Sequence, residues 1–127
     1  MDSVVHFEIP ADKVERAKTF YSKAFGWAMN PVPQMDYTMI GTTASDQNGM
    51  PTAPGAINGG LGKKGGALKS VVVTIAVQDI DASLKKIQDL GGKTVQKKMP
   101  VGNMGFSAYF KDTEGNVVGL WQASQPQ

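Results

Sequence analysis

The chain of 127 residues contains no cysteine, which excludes disulfides, thiolate metal ligands and a thiol nucleophile. Histidine occurs once, so any metal or general-base scheme has one imidazole per chain to work with. Glutamate is nearly as scarce, restricted to Glu8, Glu15 and Glu114. Charge of one sign is also lacking: 13 Lys and Arg against 11 Asp and Glu leave a formal +2. Basic residues cluster no further than doublets, of which Lys63-Lys64 and Lys97-Lys98 read as solvated loops, and no nucleic-acid partner is expected. No apolar run approaches a membrane span, since the best, Val71 to Val77, contains Thr74. Met1-Asp2-Ser3 is acidic with no apolar segment after it, so the expectation is a cytoplasmic protein without membrane contact.

Glycine, by contrast, is plentiful at 15 residues, too scattered for collagen and too many for a helical bundle. Short strands joined by many turns fit it best. Val4-Val5-His6-Phe7-Glu8-Ile9 reads as a strand, followed by a helical pattern in Val14, Ala17, Phe20, Tyr21 and Phe25 that Gly26 stops. Asp12 and Glu15 have the spacing of a capping box. The same grammar returns after Ser70: strand Val71 to Val77, cap Asp79, an apolar stripe Ile80, Leu84, Ile87 and Leu90, and a stop at Gly91-Gly92. Val14 and Ile80 are 66 residues apart, as are Ala17 and Ser83. Such self-similarity marks an internal repeat.

Further strands are expected near Asp36 to Thr42 and Gly55 to Leu61, then near Thr94 to Lys98, Phe106 to Lys111 and Val117 to Gln122. Residues 112–116, Asp-Thr-Glu-Gly-Asn, form a turn. Residues 43–69 read as a long loop around one short strand. The class is α+β: one domain over 1–127, built as two βαβββ modules, about 1–62 and about 70–123, with a linker at about 62–69. Their curled mixed sheets would form a cup, with helices on the outer face. Strand parity sets Val5, Phe7 and Ile9, and likewise Val71, Val73, Ile75 and Val77, under the helices. His6 and Glu8 then face the other way.

Three stretches carry a family resemblance: Val5-His6-Phe7-Glu8-Ile9-Pro10, the helix from Phe20-Tyr21 to Phe25-Gly26-Trp27, and Asp112 through Gln122. Together they resemble the vicinal oxygen chelate superfamily, which includes glyoxalase I, bleomycin resistance proteins and extradiol dioxygenases, and most of all its lactoylglutathione-lyase-related branch. The resemblance implies a cup that holds a small molecule and, in metal-using members, His, Glu or Gln ligands. His6 matches the first ligand position. Its counterpart in the second module is Val72, and Gly119 stands where a carboxylate is usual. Asn58-Gly59-Gly60-Leu61 in the first module also lacks a carboxylate. One ligand position of the family set remains, so the expectation is no metal and no other cofactor, with a divalent metal as the alternative.

The expected function is glyoxalase-like or bleomycin-resistance-like binding of a small, partly apolar molecule, in a homodimer as the family implies. The alternatives are a metal-dependent lyase, isomerase or dioxygenase using His6, and a scaffold without chemistry. Candidate catalytic residues are His6 and Glu8, with His6 as base or donor oriented by Glu8. Candidate ligand contacts are Tyr37, Met39, Asn58, Tyr109 and Trp121. Parity sets Trp121 on the face of Gly119.

Overall fold

The computed structural model describes residues 1–124. The architecture is α+β, and its two compact units are taken in turn.

One unit covers His6–Val71. Its elements are β1 (Val4–Ala11, whose first residues belong to the other unit), α1 (Val14–Phe25), β2 (Ala28–Val32), β3 (Tyr37–Gly41) and β4 (Asn58–Lys63). The strand order is β2-β3-β4-β1, with β1 and β4 parallel and the other pairs antiparallel. Phe7 and Ile9 turn from β1 toward α1, as parity requires, and pack with Val14, Ala17 and Tyr21 around buried Ile40 and Leu61. Full burial of one such aliphatic side chain contributes about 1.5–3 kcal/mol. Gly26 ends α1 at φ 73°, and its N–H returns to the Ser22 carbonyl, a backbone state in which a side chain is strained.

The other unit comprises Met1–Val5 and the chain from Val72 onward. It contains β5 (Val72–Ala76), α2 (Ile80–Asp89), β6 (Lys93–Val101), β7 (Gly105–Lys111) and β8 (Val117–Ala123). The order β5-β8-β7-β6 repeats the first unit's pattern, the opening strand lying parallel to the last. Ile80 and Leu84 of α2 pack against Ala108, Phe110 and Leu120. Asp112 closes the 112–116 turn, its Oδ1 accepting from the N–H groups of Glu114 and Asn116 at 2.8 and 2.9 Å.

Three sequence expectations need correction. Ala28–Val32 forms a strand that sequence grammar does not predict, because Asn30-Pro31 interrupts it; β2 lies at the end of its unit's strand order, where a missing N–H is tolerated. The Asp12–Glu15 capping box does not form. Lys13 takes the cap position with no side-chain bond, Glu15 pairs with Lys18 at 3.1 Å, and Asp12 reaches Lys64 at 3.7 Å. Finally, Val5, Val71 and Val73 are exposed, at 37%, 63% and 44%. Only Ile75 and Val77, nearer the start of the ten-residue α2, join the core.

Asp79 does cap α2, its Oδ1 accepting from Ala82 N at 3.1 Å. Asp79→Ala should therefore cost about 1 kcal/mol. Asp12→Ala should cost almost nothing, because an exposed ion pair contributes little. Urea denaturation of the two variants checks this, and equal losses would contradict the cap assignment.

Candidate functional site

His6 and Glu8 are two apart on β1 and share one face. Beside Glu8 in the ladder lies Gly60 of β4, and beside Gly60 lies Met39 of β3. Gly60 has no side chain, and the Tyr37 ring occupies that space: a Cβ on Gly60 would overlap the Tyr37 hydroxyl. Tyr37 thereby spans β4 and reaches β1. Its hydroxyl donates to Glu8 Oε2 at 2.8 Å and lies 3.2 Å from His6 Nε2.

The protons can be counted along this chain. A phenol has one hydrogen to give, and Glu8 receives it. The Tyr37 oxygen must then accept from His6 Nε2–H, which assigns the proton of the neutral ring to Nε2 and the lone pair to Nδ1. Desolvation holds the His6 pKa below its ordinary value of 6.5, partly offset by the charge of Glu8, so the ring is neutral at pH 7. Glu8 itself is buried at 8% exposure, and the Tyr37 hydroxyl provides one of its hydrogen bonds.

A depressed histidine pKa has a definite linkage sign. The unfolded chain binds the proton more tightly, so this stability is complete above 6.5 and is lost as pH falls through the lower folded value. Between about pH 7 and pH 5 the melting temperature of His6→Gln should therefore fall less steeply than that of the parent. Identical slopes would contradict a desolvated imidazole.

In the other unit the corresponding row is Thr74, Gly119 and Tyr109, again from three adjacent strands. Glu8 and Thr74 are 66 residues apart, the offset of the two helices, whereas the glycines beside them, Gly60 and Gly119, are 59 apart. A Cβ at Gly119 would stand 2.8 Å from Thr74 Oγ1, so the buried threonine packs against the bare position. Val72 is fully buried. Trp121, paired with Ala76 and Ser107, is half-buried and lines a cavity of about 670 Å³ with Ser3, Val5 and Gln78.

Of the seven candidate residues, the structure joins His6, Glu8 and Tyr37 into one network. Met39 lies beside Gly60 at 37% exposure. Asn58 is engaged in holding a loop: its Oδ1 accepts from Thr42 N at 2.9 Å, and its Nδ2 donates to Ser45 Oγ at 2.9 Å. Tyr109 and Trp121 belong to the other unit. Sequence reasoning missed the bridging role of Tyr37 and the place of Thr74. The only signal was the absence of a side chain at Gly60 and Gly119.

The donor set can be compared with a superfamily metal centre. His6 and Glu8 are joined through the Tyr37 hydroxyl, and Val72, Gly60 and Gly119 offer no donor side chain. Among the described residues no group of three or more His, Asp or Glu is placed to hold a metal ion. These residues do not fit a centre that needs three or four protein ligands. No helix among the described residues is long and apolar enough to cross a membrane.

Residues 3–43 match the family model described as Bleomycin resistance protein-like N-terminal. A glyoxylase-like domain-containing protein of Didymella fabae is 34% identical over 115 residues, covering 87% of this chain and 85% of that protein. CFP32 of Mycobacterium tuberculosis, which carries a glyoxylase designation, is 33% identical over 86% of this chain, and the chain spans 41% of its length. A Streptomyces coelicolor methylmalonyl-CoA epimerase, solved with 2-nitronate-propionyl-CoA, superposes with a TM-score of 0.67 at 16% identity, covering 96% of this chain and 97% of that one.

Proposed function

The chain belongs to the glyoxalase-like proteins of the vicinal oxygen chelate superfamily, and we propose that it binds a small, partly apolar molecule at the His6–Tyr37–Glu8 network without that superfamily's metal centre. The observation that carries this reading is the tyrosine hydroxyl bonded to both side chains that could have served as ligands. A metal drawing on His6 Nε2 and Glu8 would have to displace that hydroxyl and break both hydrogen bonds, and it would gain only two ligands. Neutral His6 presents Nδ1 as an acceptor for a hydroxyl or amide donor. Exposed Met39 supplies an adaptable apolar contact beside it. Binding of a CoA ester by the Streptomyces coelicolor epimerase supports a small-molecule role for the scaffold.

The same geometry supports a second reading, in which His6 is a general base held by Tyr37. The lowered pKa favours it, since the ring stays unprotonated at neutral pH. A single experiment addresses both readings: NMR titration with small alcohols and ketones, followed at the His6 ring and the Met39 methyl. Alcohols should shift these resonances more strongly than matched ketones, and Tyr37→Phe should weaken that binding about fivefold. Shifts confined to other residues would overturn the assignment.

A further inference from the structure

On the opposite face of β1, away from His6 and Glu8, the first turns of α1 present Lys13, Arg16, Ala17 and Phe20. Their spacing of i, i+3, i+4 and i+7 sets them on one stripe of the helix. This stripe borders a cavity of about 380 Å³, whose lining also includes Ile9 and Lys64. The size is that of a pocket for a small molecule.

The charges around it are unbalanced. Lys13, Arg16 and Lys64 face one carboxylate, Asp12, which lies 3.7 Å from Lys64. Among the described residues neither Lys13 nor Arg16 has a carboxylate within ion-pair distance, and the neighbouring Glu15 is engaged by Lys18 at 3.1 Å. Arg16 is the only arginine in the chain, and its planar fork suits a tetrahedral or planar oxyanion better than an ammonium does. The apolar part is equally unusual. Phe20 is 60% exposed and meets Tyr21 edge-on at 5.1 Å, beside Ala17 and Ile9. A cationic rim over an apolar wall matches a molecule with both properties.

We propose that this cavity is a second binding site, separate from the His6 network, for a small amphipathic organic anion: a phosphate or sulfate monoester with a short alkyl or aryl group. The headgroup pairs with Arg16, Lys13 and Lys64, and the apolar group lies against Ala17 and Phe20. Asp12 competes for Lys64 and keeps the site from accepting any anion indiscriminately. Being exposed, the pairing weakens as salt rises.

Calorimetric titration of the intact chain with hexyl phosphate tests this, with inorganic phosphate as the headgroup alone and 1-hexanol as the tail alone. Hexyl phosphate should bind one to one, and each fragment about tenfold more weakly or less. Arg16→Gln should weaken hexyl phosphate about tenfold, as loss of a charge-assisted contact does. Asp12→Asn should strengthen it about threefold by freeing Lys64, a gain that damaged folding cannot produce. Lys18→Gln, paired with Glu15 and not part of the lining, should change nothing. Equal binding of 1-hexanol, indifference to Arg16→Gln, or no binding of hexyl phosphate would each overturn the proposal. None of these outcomes bears on the His6 network, which uses different residues.

Discussion

Gly60→Ala should unfold the network around His6 and cost the protein about 3 kcal/mol. The added methyl would overlap the Tyr37 hydroxyl, so the ring must leave its place across β4. Overpacking of this kind costs about 1–3 kcal/mol. Removing one donor from buried Glu8 adds a cost of about 1–3 kcal/mol. Two readouts separate the causes. The 15N shifts of the His6 ring should lose the signature of an Nε2–H tautomer held by Tyr37. In the Tyr37→Ala background the same substitution should cost far less, because the three atoms nearest the added methyl all belong to Tyr37. Simple additivity of the two changes would show that Tyr37 does not occupy the space of the missing side chain.

Leu61→Ala, one residue along, should cost as much or more and yet leave the network standing. Successive residues of a strand face opposite ways. Gly60 faces the Tyr37 ring, whereas Leu61 is fully buried on the α1 side among Ile40, Ile9 and Val14. Truncating a buried leucine costs about 2–5 kcal/mol through lost transfer energy and the cavity left behind. For a chain of this length that lowers the melting temperature by roughly 3–5 °C per kcal/mol. The His6 ring shifts should remain those of the parent. A loss below about 1 kcal/mol would place the core elsewhere, and altered His6 shifts would mean that the two faces of β4 are not independent.

These neighbours also mark where sequence reasoning succeeds and where it stops. Leu61 and the stripe Ile80, Leu84 and Ile87 are legible because apolar periodicity states which face is buried. Asp79 is legible because its carboxylate accepts a local N–H, a bond set by chain geometry alone. The α+β class and the repeat followed from such local signals. Asp12 shows their weakness: its spacing to Glu15 was right, but the helix begins one residue later and the side chain turns to Lys64. β2 was hidden because Asn30-Pro31 violates strand preference at a position where the edge forgives it.

The site was legible only in part. That His6 and Glu8 share a face follows from the period of a strand. That Tyr37 stands between them does not, since it depends on β3 pairing beyond β4 and on Gly60 leaving room. A glycine in a sequence reports missing atoms without naming what fills the gap. The same holds at Gly119, where the threonine of β5 lies against the bare position. At both glycines the fold shows which side chain lies against the bare position.

We propose that the hydrogen-bonded network of His6, Tyr37 and Glu8 stands in place of a metal centre. Elemental analysis of the protein, purified without chelators from cells supplied with Zn, Ni, Mn and Fe, tests it most directly, with His6→Ala alongside. Substoichiometric metal that does not change on His6→Ala is the expected result. One equivalent of a divalent metal per chain, lost with His6, would contradict it.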